Sequence, residues 1–336
     1  MMIELNKPAV LTSQNFGLNS LLLDEQELFL PCKKAEIEIK NVSKSGISEK
    51  ANFLLTRNLF ELKSTLEKTI KITKNTFKPI EISVVSTKRS CTKLKIECEE
   101  NVKAQVVVNL CGNEWQKNEL MLVALKNSNL DVIVFCDGGG KNFCGIETIQ
   151  KEKAELKLTV LDFCENTSLQ NIFSKNEEKN SKLNLNILYA KTDAQKIDIN
   201  VLAENSSPKA QTNICVLGGL CGLAEKSFKG VIDFKRGAKK SVGVENEYAV
   251  LLNSGTKSKS LPVLLCGEED VVGSHGASSG KLSDEELFYV MSRGVNLNEA
   301  KKLLVKAKFN KILKQLFDEK TKQKTSQKID RSIDGK

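Results

Sequence analysis

A single histidine, His275, and ten cysteines are the residues through which this 336-residue chain could do metal or thiol chemistry. A neutral imidazole is a competent iron ligand, and a thiolate is a competent ligand or nucleophile. Cys266 stands nine residues before His275, at the end of the apolar run 261–265, where a cysteine is expected to fill a buried strand. His275 falls in Gly- and Ser-rich sequence that reads as a turn just past that strand. The other close thiol pairs, Cys91/Cys98, Cys136/Cys144 and Cys215/Cys221, lack the CxxC spacing that brings two thiolates to one tetrahedral metal. With one histidine, a Ser-His-Asp or Cys-His arrangement has nothing to draw on beyond His275. Gly138-Gly139-Gly140-Lys141 lacks the spacing of a phosphate-binding P-loop and reads as a turn, so no nucleotide is expected on this chain.

Composition narrows the classes further. An apolar content of 40% is enough to bury a sizeable core. No run approaches the roughly 20 apolar residues of a spanning helix, and Glu4 and Pro8 interrupt the first segment, so the reading is a soluble, cytoplasmic chain with reduced cysteines. The net charge of +9 is spread along the chain, and aromatic residues make up only 5% without interleaving with basic ones. That argues against a base-stacking nucleic-acid platform. One Trp and three Tyr likewise argue against a carbohydrate-active β-helix enzyme, which needs aromatic or cationic sugar platforms and paired carboxylates.

Strands must position these residues. Strict alternation of apolar and polar residues appears at Leu94/Ile96/Cys98, Val102 through Leu110, Leu130 through Cys136, Ala154 through Val160, Leu183 through Tyr189 and Ile197/Ile199/Val201. The segments between and after them, such as 137–141 and 205–209, carry turn chemistry. Many short strands without helices between them predict a sandwich, barrel or solenoid, and no crisp repeat separates these. The first fifty or so residues read as an extension.

After Gly280 the pattern becomes helical. Ser283-Asp284-Glu285-Glu286 is a capping box predicting a helix over 284–292, and Arg293-Gly294 ends it. Asn296 with Glu299 starts a second helix, whose stripe runs from Ala300, Leu303 and Leu304 to Phe317. Beyond it, 318–336 is charged and nearly free of large apolar residues, which predicts a flexible tail.

Three segments in fixed order, GSHGASSGKL (273–282), LFYVMSRGV (287–295) and NEAKKLL (298–304), resemble the end of a SufB/SufD core and its following helices, on the SufD side. The resemblance implies a mainly β fold, a right-handed parallel β-helix with a small C-terminal helical subdomain. The organisation it supports is an N-terminal extension over 1–52, a core over 53–282, a helical subdomain over 283–317 and the tail over 318–336. It implies a noncatalytic subunit of SUF iron-sulfur cluster assembly that joins a SufC-type ABC ATPase and a SufB-type paralogue or a second copy, with no nucleic acid and no membrane. ATP hydrolysis would belong to the partner. His275 matches the histidine of the SufD-type HGA motif, implying transient handling of iron or a cluster shared with the partner, and Cys266 is the nearest thiol to assist. Gly273 replaces a cysteine of many SufD proteins, Gly276 replaces a SufB glutamate, and Thr256 stands where a SufB cysteine would align, which points to an accessory role. Phe288 and Tyr289 are expected to pack the helices onto the last coils. With Arg293, Gly294, Leu303 and Leu304 they also form the segment that the family uses to dock the ATPase.

Overall fold

The computed structural model describes residues 2–5, 21–24, 32–33, 35–41, 47–48 and 64–335. Two short strands, β1 (Met2–Leu5) and β2 (Leu21–Asp24), pair antiparallel. The remaining strands form two nine-stranded sheets. One contains β3 (Glu36–Lys40), β6 (Ile80–Ser86), β8 (Lys103–Gly112), β10 (Asn129–Asp137), β12 (Glu155–Asp162), β14 (Lys182–Lys191), β16 (Gln211–Leu220), β18 (Ser241–Leu251) and β20 (Val271–Gly280). The other contains β4 (Ile47–Ser48), β5 (Leu66–Ile72), β7 (Ser90–Cys98), β9 (Gln116–Ala124), β11 (Asn142–Gln150), β13 (Ser168–Asn176), β15 (Lys196–Asn205), β17 (Glu225–Phe234) and β19 (Lys257–Cys266). From β5 onward successive strands alternate between the sheets, and from β7 onward each pairs in parallel with the strand two before it, so the chain winds as a β-solenoid of about eight coils. This resolves the choice among sandwich, barrel and solenoid.

In-register parallel pairing stacks like on like. Leu130 lies between Ala104 and Leu156, and Val132 between Val106 and Leu158. These aliphatic ladders, with Cys98, Cys136, Cys144 and Cys164 as small fillers, make the interior. The repeat is written in the turns. Asn101, Asn127, Lys153, Asn180, Lys209 and Lys240 all take positive φ, between 54 and 62°. Each donates its amide to the carbonyl of the next turn, from Asn101 to Lys126 at 3.0 Å through to Lys240 to Asp270 at 2.6 Å. The coil length drifts, with cross-coil bonds linking residues 26 apart at Thr92–Asn118 and 29 apart at Asn176–Asn205, which hides a fixed period from the sequence. The six alternating runs all become strands. As the expected core over 53–282 requires, β16 to β20 continue the solenoid past Val201, and inward residues such as Gly243, Glu245 and Glu247 interrupt the clean alternation there.

Three helices follow the last coil: α1 (Asp284–Ser292), α2 (Leu297–Leu313) and α3 (Glu319–Asp334). Ser283 and Asn296 cap the first two as expected, accepting from the amides of Glu286 (3.3 Å) and Glu299 (3.0 Å). Val305, Phe309 and Ile312 of α2, with Ile329 and Ile333 of α3, form a second core with Ile133, Phe135, Leu161 and Leu188, which face outward from the first sheet. The segment 318–334 is therefore a packed helix and not a flexible tail. Its buried stripe is Thr321, Thr325, Ile329 and Ile333, one residue per turn, and half of it is threonine. Asp318 caps it, and Lys324 and Lys328 bind Asp137 of β10 at 3.1 and 2.6 Å. At the other end, β3 and β4 pair antiparallel onto the first coil, so part of the N-terminal extension continues the sheets. The expected boundary near residue 53 lies outside the described residues. No helix among the described residues is long and apolar enough to cross a membrane.

Candidate functional site

Among the described residues, the last coil leaves the C-terminal end of the solenoid interior without a strand stacked on it. β19 and β20, again among the described residues, each have a paired strand on one side only. His275 does not sit in a turn: it lies in the middle of β20, exposed, and pairs in register with Glu245 of β18. Buried Ser241, Gly243, Glu245 and Glu247 alternate with outward Val242, Val244 and Asn246, so the inward positions of β20 are Val271, Gly273, His275 and Ala277. Register thus places His275 on the inner face, directly above Glu245.

Beneath it the interior turns from aliphatic to charged. The Lys226 ammonium, fully buried, donates to Glu247 Oε1 at 2.6 Å and to Ser260 Oγ at 2.7 Å, and Ser260 Oγ donates to Glu247 Oε2 at 3.0 Å. Glu245 is also 0% exposed, yet neither of its carboxylate oxygens has a hydrogen-bond partner. Burial, reinforced by the neighbouring Glu247 charge, pushes its pKa up to about 8. Burial likewise lowers the Lys226 pKa, against the pull of Glu247, and raises that of Tyr189, whose hydroxyl is also unpartnered. The carboxylate reaches across the interior over Gly230, where an added Cβ would meet Oε1 at 2.2 Å. Glycine at 230 is what makes room for it.

Cys266 is the only exposed cysteine of the ten, in place of the buried filler expected. It pairs with Phe234 at the end of β19, whereas His275 lies four residues into β20, about 13 Å of strand from its start. The register does not gather the two around one point. Among the described residues, no three His, Cys, Asp or Glu side chains come together to hold a metal ion. An imidazole and an orphaned carboxylate on adjacent coils are a donor set that fits part of the coordination of a divalent iron cargo, with the rest left open.

The Glu245 position was not legible in the alternation of VGVENEYAV, because Val242 and Val244 invite the opposite face to be read as buried. The informative signal is register: Glu245 and Glu247 stack on the interior residues Ile214 and Val216.

The helical end presents a second surface. α1 buries no residue, and Phe288 and Tyr289 are 75% and 60% exposed, so they do not pack onto the last coils. Leu303 of α2 is 53% exposed, while Leu304 lies half-buried against the second core. Arg293 stacks on the Tyr289 ring at 5.2 Å and donates from Nη2 to its hydroxyl at 3.2 Å. Gly294 follows with φ of 87°, a left-handed turn between α1 and α2. Gly138, φ 115°, closes the turn of the Gly-Gly-Gly-Lys segment as expected.

A β-solenoid whose open coil carries the GSHGASSG strand and whose helices follow directly defines a class of assembly protein. The chain belongs to the family described as SUF system FeS cluster assembly, SufBD core domain, whose sequence model matches residues 83–308. It is similar to an iron-sulfur cluster assembly SufBD family protein of Mycobacterium leprae, 27% identical over 38% of this chain and 35% of the relative. It is also similar to the iron-sulfur cluster assembly protein SufD of Bacillus subtilis, 28% identical over 33% of this chain and 25% of that protein. A third relative is SufD of Plasmodium berghei, 39% identical over 24% of this chain and 6% of that protein. The matched stretches thus span about a third or less of these relatives.

Proposed function

We propose that this chain is a noncatalytic subunit of SUF iron-sulfur cluster assembly, acting in the cytoplasm. In this reading α1 and α2 dock a SufC-type ABC ATPase, and the open β19–β20 coil meets a SufB-type paralogue or a second copy. His275 handles iron or a transient cluster at that junction, and ATP is hydrolysed by the partner. The observation that carries the reading is α1: a capped helix with no buried residue that presents Phe288 and Tyr289 to solvent, with Leu303 exposed on the helix that follows. Aromatic anchors on a helix face suit recognition in a partner's groove. Movement of a docked ATPase would be transmitted through α2, whose Phe309 and Ile312 are seated on the solenoid.

The test is co-purification of the full chain with the SufC-type ATPase of its organism, comparing wild type with the Phe288→Ala/Tyr289→Ala pair. A stable complex weakened at least tenfold by the double substitution is the expected result. Failure of the wild-type chain to bind overturns the docking role. Unchanged binding by the double variant moves the docking face elsewhere.

A further inference from the structure

We propose that Glu245 is a second metal donor beside His275, so that a divalent first-row transition ion is held between β18 and β20 at the open end of the solenoid. The inference rests on the reading of His275 as a metal-handling residue and adds to it a carboxylate that no sequence motif marks. Three observations carry it. The first is register: residues paired in parallel strands point to the same face, so Glu245 and His275 leave adjacent strands on the same, inner side of the sheet. Adjacent strands lie about 4.8 Å apart, and one ion about 2.1 Å from an imidazole nitrogen and about 2.1 Å from a carboxylate oxygen spans that gap.

The second observation is the orphaned carboxylate. Glu245 is wholly buried with both oxygens unpartnered, although a buried lysine lies one coil position away. That lysine, Lys226, is already bound to Glu247 and Ser260, so the interior contains no cation free to pair with Glu245 among the described residues. A buried acid without a partner costs stability, and a cation arriving from the open end would supply the missing charge. The third is the cradle: Gly230 leaves the carboxylate its space, and a Cβ there would displace it. Further ligands would come from water or a docked subunit, because no three His, Cys, Asp or Glu side chains gather there among the described residues.

Cobalt(II) is the probe, added anaerobically to the full metal-free chain and followed by its visible d–d absorption. Wild type is expected to bind one ion. His275→Ala and Glu245→Gln are each expected to weaken binding at least tenfold, and Glu245→Asp, which keeps the charge but withdraws it by one methylene, by an intermediate factor. Glutamine is isosteric and uncharged, so an unchanged far-ultraviolet spectrum and melting temperature that is not lowered check the fold of that variant. Loss of binding in His275→Ala with wild-type binding in Glu245→Gln overturns the role of Glu245 and leaves that of His275 standing. Loss in Glu245→Gln alone overturns the shared site. Wild-type binding by both variants, or no binding by the wild-type chain, overturns both assignments.

Discussion

Glu245 is the residue at which foldability and chemistry conflict. Its pKa is pushed to about 8 by burial and by Glu247, from 4.5 in an unhindered carboxyl. Between those values the native chain holds a proton that the unfolded chain has released, so rising pH destabilises the metal-free fold across this window. Below about pH 4.5 the penalty is absent; above it the penalty grows by about 1.4 kcal/mol per pH unit until the folded group ionises. Glu245→Gln removes this dependence. Urea unfolding at pH 5, 6 and 7 with a chelator present should show the variant gaining on wild type at each step, by up to that slope. A constant difference between the two proteins would mean that Glu245 is hydrated or paired in solution. The residue types at this end were plain in the sequence, but their facing was not: valines at 242 and 244 obey alternation while pointing outward. His275 was found by its motif, yet its placement in a strand, and so its alignment with Glu245, comes from pairing with a coil thirty residues earlier.

The elements differ in how much of them the sequence displays. The caps at Ser283 and Asn296 are local signals, each a side chain bonding an amide three residues on, and they were readable directly. α3 was not, because its buried stripe contains two threonines and its attachment uses lysines that composition reads as solvating. Thr325 satisfies its hydroxyl on the Thr321 carbonyl at 2.7 Å, which lets a polar residue occupy a core-facing helix position. Ile329 is 0% exposed in the second core, so Ile329→Ala should cost about 2–5 kcal/mol, whereas Phe288→Ala on exposed α1 should change stability by less than about 0.5 kcal/mol. Thermal melts of the two variants check the contrast. Equal effects would mean either that α3 is detached in solution or that α1 is packed.

At the scale of the whole molecule, a solenoid is nearly one-dimensional, with each coil held by its two neighbours and a terminal coil by one. The N-terminal end is partly covered: β3 and β4 pair antiparallel onto the first coil. At the other end β20 leaves an unpaired edge beside half-buried Val271 and exposed Val272. The adjoining helices do not cover β20 itself, because α2 and α3 pack on the outer face of β10, β12, β14, β16 and the end of β18. Opening free energy should therefore fall from the central coils toward β19 and β20. Amide hydrogen exchange should be slowest in β10 to β16 and fastest, within the solenoid, in β20. An unpaired strand edge is also a template for pairing, so a partner at the open coil should slow exchange there and leave the central coils unchanged. If β20 is as protected in the isolated chain as β14, the open end is already closed in solution, and the partner interface must be sought on another face.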